Sequence, residues 1–353
     1  MKVFVGLSGG VDSGVSAALL KQQGHDVTGV FIRIVVPGYP CTAGADKIDA
    51  MRVAAHLKIP FREIDLSKEY KRQVFDESIK EFEKGRTPNP DAVCNREIKF
   101  GLFYEWARST GADMVATGHY AKIKDGLLYA GADKDKDQSY FLALVPKEVF
   151  AHVLFPIGHL QKTEVRRLAK KVGLPNAERP DSQGLCFLGP VSIGEMLHHE
   201  LSPMPGDVLS EAGDVIGVHE GAMLYTLGQR HGFTLAIHSP KSAPHYVTAK
   251  DPAFNTITVS PNKFPRGAAK TELELKDANW VGDAPEGACH ARYRYRQALI
   301  PAKIQRGLLK NGVEGEPVVI LQEPHYAPLG QVLVLYAGER CIGGGVIKKS
   351  RVY

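Results

Sequence analysis

The chain has 353 residues, 44% of them hydrophobic and 24% charged, and a formal net charge of +5, a profile of an ordinary soluble globular protein too long for a single core. No apolar run approaches the roughly 20 residues of a membrane span, the first residues enter a strand without a signal-like order, and the five cysteines show no Cys-x-x-Cys or zinc-like spacing. These features exclude membrane-spanning and zinc-ribbon classes, lead us to expect a cytoplasmic protein, and permit a polyanionic partner without requiring one.

In chain order, periodicity predicts a strand over residues 2–7, a helix over 13–23 closed by Gly24, and a strand over 27–34. A helix over 45–57, a strand over 61–66, amphipathic helices over 68–84 and 95–109, and a strand over 113–117 follow. This alternation implies an α/β unit, an open parallel sheet with helices on both faces and ligands beyond the carboxyl ends of its strands. After about Leu201 prolines and glycines punctuate short segments, and from about Glu272 short strands and turns dominate. We therefore expect a first domain over 1–200, a small central domain over 201–268 and an antiparallel β-barrel or sandwich over 269–353.

Gly6-Leu7-Ser8-Gly9-Gly10-Val11-Asp12-Ser13 joins the first strand to the first helix. Unpaired backbone N–H groups and a helix dipole end meet there, and the glycines let a phosphate approach closely, which makes the turn a candidate anion site. The lysine of a Walker loop is missing. The Ser-Gly-Gly-x-Asp-Ser core resembles the pyrophosphate-binding loop of the ATP pyrophosphatases, which implies ATP as substrate.

Two cysteine segments follow. In Thr87-Pro88-Asn89-Pro90-Asp91-Ala92-Val93-Cys94-Asn95-Arg96 the prolines stiffen the backbone before a helix expected to begin near Cys94. That position, with Arg96 nearby, is expected to favour the Cys94 thiolate, and Asp91 is placed to exchange a proton with a substrate. The second segment, Asp181-Ser182-Gln183-Gly184-Leu185-Cys186-Phe187-Leu188-Gly189, puts Cys186 in a polar loop expected to be mobile and accessible. Such a cysteine suits a persulfide carrier, and a second thiol suits the exchange that unloads it.

With these segments, Ala-Thr-Gly-His-Tyr-Ala at 116–121, Lys-Asp-Gln-Ser-Tyr-Phe-Leu at 136–142 and Arg-Tyr-Arg-Gln at 294–297 stand in an order that resembles the tRNA-specific 2-thiouridylase family over essentially the whole chain. The resemblance implies a catalytic unit of the adenine-nucleotide α-hydrolase type, a small central domain and a C-terminal barrel. It implies that residues 6–13, Ile32 and Gly118 bind ATP, that Mg2+ accompanies it, and that Asn89, Pro90 and Asp91 face a flipped uridine. Cys186 would carry the persulfide, supplied by a separate sulfur carrier or desulfurase, and Cys94 would close a Cys94–Cys186 disulfide. Lys136, Asp137, Gln138, His119, Arg294, Tyr295 and Gln331 would contact tRNA, and no dedicated metal ligands are implied.

The stretch from His290 to Lys310 carries six basic residues and no acidic one. If 292–296 is a strand, Arg292, Arg294 and Arg296 share a face suited to phosphates while Tyr293 and Tyr295 share the other. Two other readings stay open: a nitrogen-transferring ligase that keeps the nucleotide loop, which would need no thiol pair, and a tRNA-binding protein without catalysis, which would need neither the loop nor Asp91.

Overall fold

The structure, a computed structural model, describes residues 1–181, 184–236, 243–308 and 314–353, with the backbone alone at 306–308 and 314. Ser182, Gln183 and Lys310, all within expected segments, lie outside the residues described in full. Five parallel strands form the first sheet in the order Phe61–Asp65, Asp26–Arg33, Lys2–Gly6, Met114–Ala116, Val153–Leu154. The chain reverses its direction of travel across the sheet between Lys2–Gly6 and Met114–Ala116, and such a switch point opens a crevice at the strand ends. Two apolar layers flank the sheet: Val3 and Val5 point into one with Val15, Val53 and Val165, and Phe4 into the other with Val74, Ile98 and Phe103. The period-two alternation of a strand buried on both faces explains the split.

Three helices depart from expectation at their ends or in their winding. The first begins at Val11, not at residue 13, because Gly10 is extended and releases the turn early. The run Ser67–Glu83 is wound α, then π over Lys71–Phe75, then α again. The run expected from residue 95 begins at Pro90, where proline's fixed φ suits a first helical turn. Asn89 caps it by accepting from Ala92 N at 3.0 Å, and the run turns π over Asn95–Leu102 before Phe103–Ser109.

A second, five-stranded sheet runs Phe233–Leu235, Val215–His219, Gly206–Leu209, Thr256–Ser260, Tyr246–Asp251 over its own small core of Val208, Tyr225, Val247 and Ile257. In the third, Thr271–Trp280, Glu314–Leu321, Ile300–Leu308, Gly287–Arg292, Val332–Ala337 and Arg340–Val352 follow one another, and the first pairs with the last, closing a six-stranded antiparallel barrel. The hairpin Ala121–Lys124/Leu127–Ala130 of the first unit joins this sheet through Tyr129 and Arg340. Strand Val332–Ala337 accordingly faces two cores: Leu333 and Leu335 fill the barrel, while Val332, Val334 and Tyr336 pack on the first unit. Among the described residues no helix is long and apolar enough to cross a membrane.

Candidate active site

At the switch point, Gly10 precedes helix Val11–Gln22 without a side-chain cap, so no side chain fills the first-turn N–H groups. Ser13 Oγ accepts from Ser8 N at 3.2 Å and donates to Gly10 O at 3.1 Å, and Gly10 N donates to Ser8 Oγ at 3.3 Å. Gly9 has φ +77°, and a Cβ on it would stand 2.5 Å from Asp46 O and 2.9 Å from Arg179 Nη1, so only glycine fits. Across the crevice, a Cβ on Gly118 would stand 2.7 Å from Ser13 N. Leu7 and Val11 anchor the turn in the core, and Ile32 is buried on the neighbouring strand Asp26–Arg33.

The cation absent from the loop comes from elsewhere. Lys162, the first residue of helix Lys162–Val172, donates to both carboxylate oxygens of Asp12 at 2.7 and 2.8 Å, and Tyr120 OH donates to Asp12 at 2.8 Å. The same ammonium lies 2.8 Å from Asp181, which also pairs with Lys136 at 2.6 Å and Arg166 at 2.8 Å. Burial works against the Asp181 anion, but hydrogen bonds from Lys136 and Lys162 outweigh it and hold its carboxyl well below the usual range.

Cys94 and Cys186, 92 positions apart, meet with their sulfurs 3.6 Å from each other. Asp91 stands beside them, its Oδ1 accepting from Cys186 N at 3.2 Å, and Tyr70 OH donates to Cys186 O at 2.8 Å. Here the structure corrects two expectations. Cys94 ends the turn Pro90–Cys94 instead of starting a helix, and Arg96 pairs with Glu97, so neither activates it. Burial pushes the Cys94 thiol well up, and its hydrogen bond to Cys186 adds to the effect. Cys186 moves the other way, down to about 7, because Cys94 donates to it and Lys99 is close by.

The second correction concerns the Cys186 loop, which is packed. Leu185 and Leu188 anchor it in the core and leave Cys186 half-buried, while Phe187 between them has a left-handed φ of +67°. The polar letters before Cys186 conceal these apolar anchors. Burial raises the Asp91 carboxyl, with the Cys186 N–H and Lys99 partly opposing, which makes it a better base.

The remaining candidate residues are brought near this centre, several with their side chains engaged inside the protein. Asn89 Nδ2 donates to Gln331 Oε1 at 3.0 Å across 242 positions, and Tyr140 OH donates to the same oxygen at 3.2 Å; Pro90 is buried. His119 is buried, 2.7 Å from Thr117 Oγ1, and burial together with Lys99 lowers its pKa well below the ordinary value. Gln138 accepts from Tyr120 N at 3.0 Å. Asp137 is buried and pairs with Arg292 at 2.6 Å. The expected shared face of Arg292, Arg294 and Arg296 does not form, because the strand ends at Arg292 and the chain turns, with Arg296 at φ +60°. Arg294 instead donates to Leu227 O of the central sheet unit, Arg296 to Asp135 O at 2.9 Å, and Tyr295 packs on Phe141 with ring centroids 4.8 Å apart.

Lys162, Tyr120, Asp181 and Lys99 were not singled out by the sequence. Lys162 looks like one more charge at an amphipathic helix start, and Lys99 like a polar residue in a helix interior. For Lys99 the five-residue spacing from Cys94 pointed away from the thiol in an α-helix, and only the π-winding brings it back. Among the described residues no group of three or more His, Cys, Asp or Glu is arranged to hold a metal.

Family models match the chain in three consecutive stretches. They are a "tRNA methyl transferase HUP domain" over residues 1–190, a "tRNA methyl transferase PRC-barrel domain" over 194–261 and an "Aminomethyltransferase beta-barrel domain" over 270–347. The tRNA-specific 2-thiouridylase MnmA 2 of Geobacillus kaustophilus (strain HTA426) is 42% identical over 357 residues, covering 98% of this chain and 94% of that one. The tRNA-specific 2-thiouridylase MnmA of Enterococcus faecalis (strain ATCC 700802 / V583) is 39% identical, covering 99% and 96%. A solved 4-thiouridine synthetase–RNA complex with bound ATP shares 20% identity at a TM-score of 0.35, covering 54% of this chain and 46% of that one, a likeness too slight to argue from. On sequence identity along its whole length, the chain belongs to the family of tRNA-specific 2-thiouridylases.

Proposed function

We propose that this enzyme replaces O2 of the wobble uridine of tRNA with sulfur, in an ATP-dependent reaction carried by Cys186 and Cys94. The observation that carries the reading is the meeting of those two sulfurs at 3.6 Å beside Asp91. ATP would lie with its phosphates on the Gly6–Ser13 turn, against the free helix end and Lys162, and its base toward Ile32 and Gly118. Asp12, now held by Lys162 and Tyr120, would be the carboxylate that holds Mg2+ beside the phosphates. Bound there, Mg2+ would supply charge neutralisation for the departing pyrophosphate.

Asp91 takes the N3 proton of a flipped uridine as its O2 attacks the α-phosphorus, and pyrophosphate leaves. The terminal sulfur of the Cys186 persulfide attacks C2, and AMP leaves with the former O2. Cys94, giving up its proton, attacks Cys186 Sγ. The sulfur–sulfur bond of the adduct breaks, its electron pair stays on the sulfur bound to C2, and 2-thiouridine departs. Two thiol sulfurs are thereby oxidised to the Cys94–Cys186 disulfide while the sulfane sulfur is reduced. A thiol reductant reopens the pair for the next round. Asn89, Pro90, Gln331, Lys136, Gln138, Arg294 and Tyr295 are proposed to receive the tRNA. Asp137 and His119, both buried, would support that surface from beneath.

The test loads the protein with a persulfide, adds Mg-ATP and unthiolated tRNA, and reads thiouridine by mercury-gel retardation together with the nucleotide products. We expect thiolated tRNA, AMP and pyrophosphate in equal amounts. Cys94→Ala should leave tRNA attached to Cys186 through a link that dithiothreitol cleaves. AMP formed without thiouridine by the parent protein would overturn the acceptor assignment.

A further inference from the structure

Cys186 must be anionic twice in this cycle, at a place that excludes most water. Its thiolate attacks the sulfane sulfur of an incoming persulfide and expels the donor as a thiolate, and the new persulfide then attacks as an anion. Burying a negative charge is costly unless a counter-charge stands by. The thiol of Cys94, the nearest donor, is neutral and its S–H is weak. Asp91 faces the sulfurs with the wrong sign, and Tyr70 is held in its neutral form by burial and by the neighbouring Cys94.

The one cation in this group is Lys99. Five residues after Cys94, it would be rotated about 140° away in an α-helix. The segment Asn95–Leu102 is π-wound, and its i→i+5 bonding brings Lys99 back over Cys94. Gly101 permits that winding, since a Cβ there would stand 2.8 Å from Arg96 O. The Lys99 ammonium lies 5.7 Å from the ring of Phe187, the residue after Cys186, close enough for the charges of both sulfurs to act on it. Among the described residues no carboxylate forms an ion pair with it. Burial disfavours its charge, yet the two sulfurs outweigh burial and raise it. A part-buried lysine without a carboxylate partner, facing two cysteines and a neutral His119, has the sulfur anion as its counter-ion.

We infer that Lys99 is the fixed cation of the sulfur site, holding the Cys186 sulfur as an anion while it accepts sulfur and again while it attacks the activated uridine. The second half rests on the proposed tRNA reaction, and the first does not. Which thiol ionises is set by the hydrogen bond from Cys94 and by burial: Cys186 is the anion that Lys99 faces, and Cys94 keeps its proton until the adduct forms.

Alkylation by iodoacetamide, followed at each cysteine by mass spectrometry across pH, tests this without ATP or tRNA. For Cys186 in the parent protein the inflection is expected near 7. Lys99→Met should raise it by about one pKa unit toward the ordinary thiol range and slow alkylation below the inflection about tenfold. Lys99→Arg should keep it low. An unchanged inflection in Lys99→Met would overturn the inference. Cys94→Ala gives an answer even if the methionine variant fails to fold. An inflection still below the ordinary range upholds Lys99, and a full return to that range assigns the effect to Cys94 and rejects it. A parent protein that shows the Lys99-dependent shift but makes no thiouridine upholds the ion pair and rejects the tRNA reading.

Discussion

At the scale of residues, the centre is a set of opposed charges arranged around two ligand-facing points. One point is Asp12, bridged by Lys162 to Asp181. An ammonium shared between two carboxylates can turn toward a third anion with little reorganisation, which suits a group meant to meet phosphates. Lys162→Met should therefore lower kcat/KM for ATP in tRNA-dependent pyrophosphate release by about 100-fold, the scale of one lost charge-stabilising donor. An unchanged KM and kcat for ATP would remove Lys162 from the phosphate site. The second point is the cysteine pair, where one sulfur is shielded and protonated and the other ionises near neutral pH.

Among the elements, the helical run Pro90–Ser109 does most to build the site. Its first turn carries Asp91 and Cys94, and its π segment carries Lys99. π segments lose hydrogen-bond quality relative to α-winding, and they recur at functional positions because they redirect side chains. Gly101→Val would put a branched side chain against the Arg96 carbonyl. We expect a loss of about 1–3 kcal/mol in stability, typical of overpacking, measured by urea unfolding. Oxidation of the Cys94–Cys186 pair should slow with it, since Cys94 shares the disturbed run. A variant as stable as the parent would mean that the segment can rewind without strain.

For the whole molecule, the barrel is fastened to the nucleotide unit rather than tethered to it. Asp137, Ser139, Arg292 and Tyr336 form a buried polar joint, with Ser139 N and Oγ each donating to Asp137 at 3.0 Å and Arg292 Nη2 donating to Tyr336 OH at 2.6 Å. Removing one partner of a buried pair strands the other, at about 3–5 kcal/mol. Arg292→Met should lose that much in urea unfolding, and Asp137→Asn in the same chain should recover part of it. Additive losses in the double variant would show that the two side chains are not coupled. The joint also ties the 131–139 segment to the barrel, and the Asn89–Gln331 hydrogen bond crosses the same interface.

Much of this was legible in the sequence for a local reason. The turn at Gly6–Ser13 depends on residues within eight positions, the parallel sheet on helix and strand periods, and the last domain's antiparallel strands on alternation and turns, all readable without knowing what lies across the chain, whereas the barrel's closure rests on the pairing of its first and last strands. The Cys94 and Cys186 segments each announced a thiol. What the tertiary structure decided is everything that depends on long-range neighbours. It moved the favoured thiolate from Cys94 to Cys186, because Cys94 is buried away from any helix start and donates its hydrogen bond to Cys186, with Lys99 close by. It supplied Lys162 from 150 positions away to Asp12, and it turned Arg292 from an expected phosphate contact into the counter-ion of Asp137. Ionisation and charge pairing act through space at a few ångströms, whereas the sequence orders residues only along the chain.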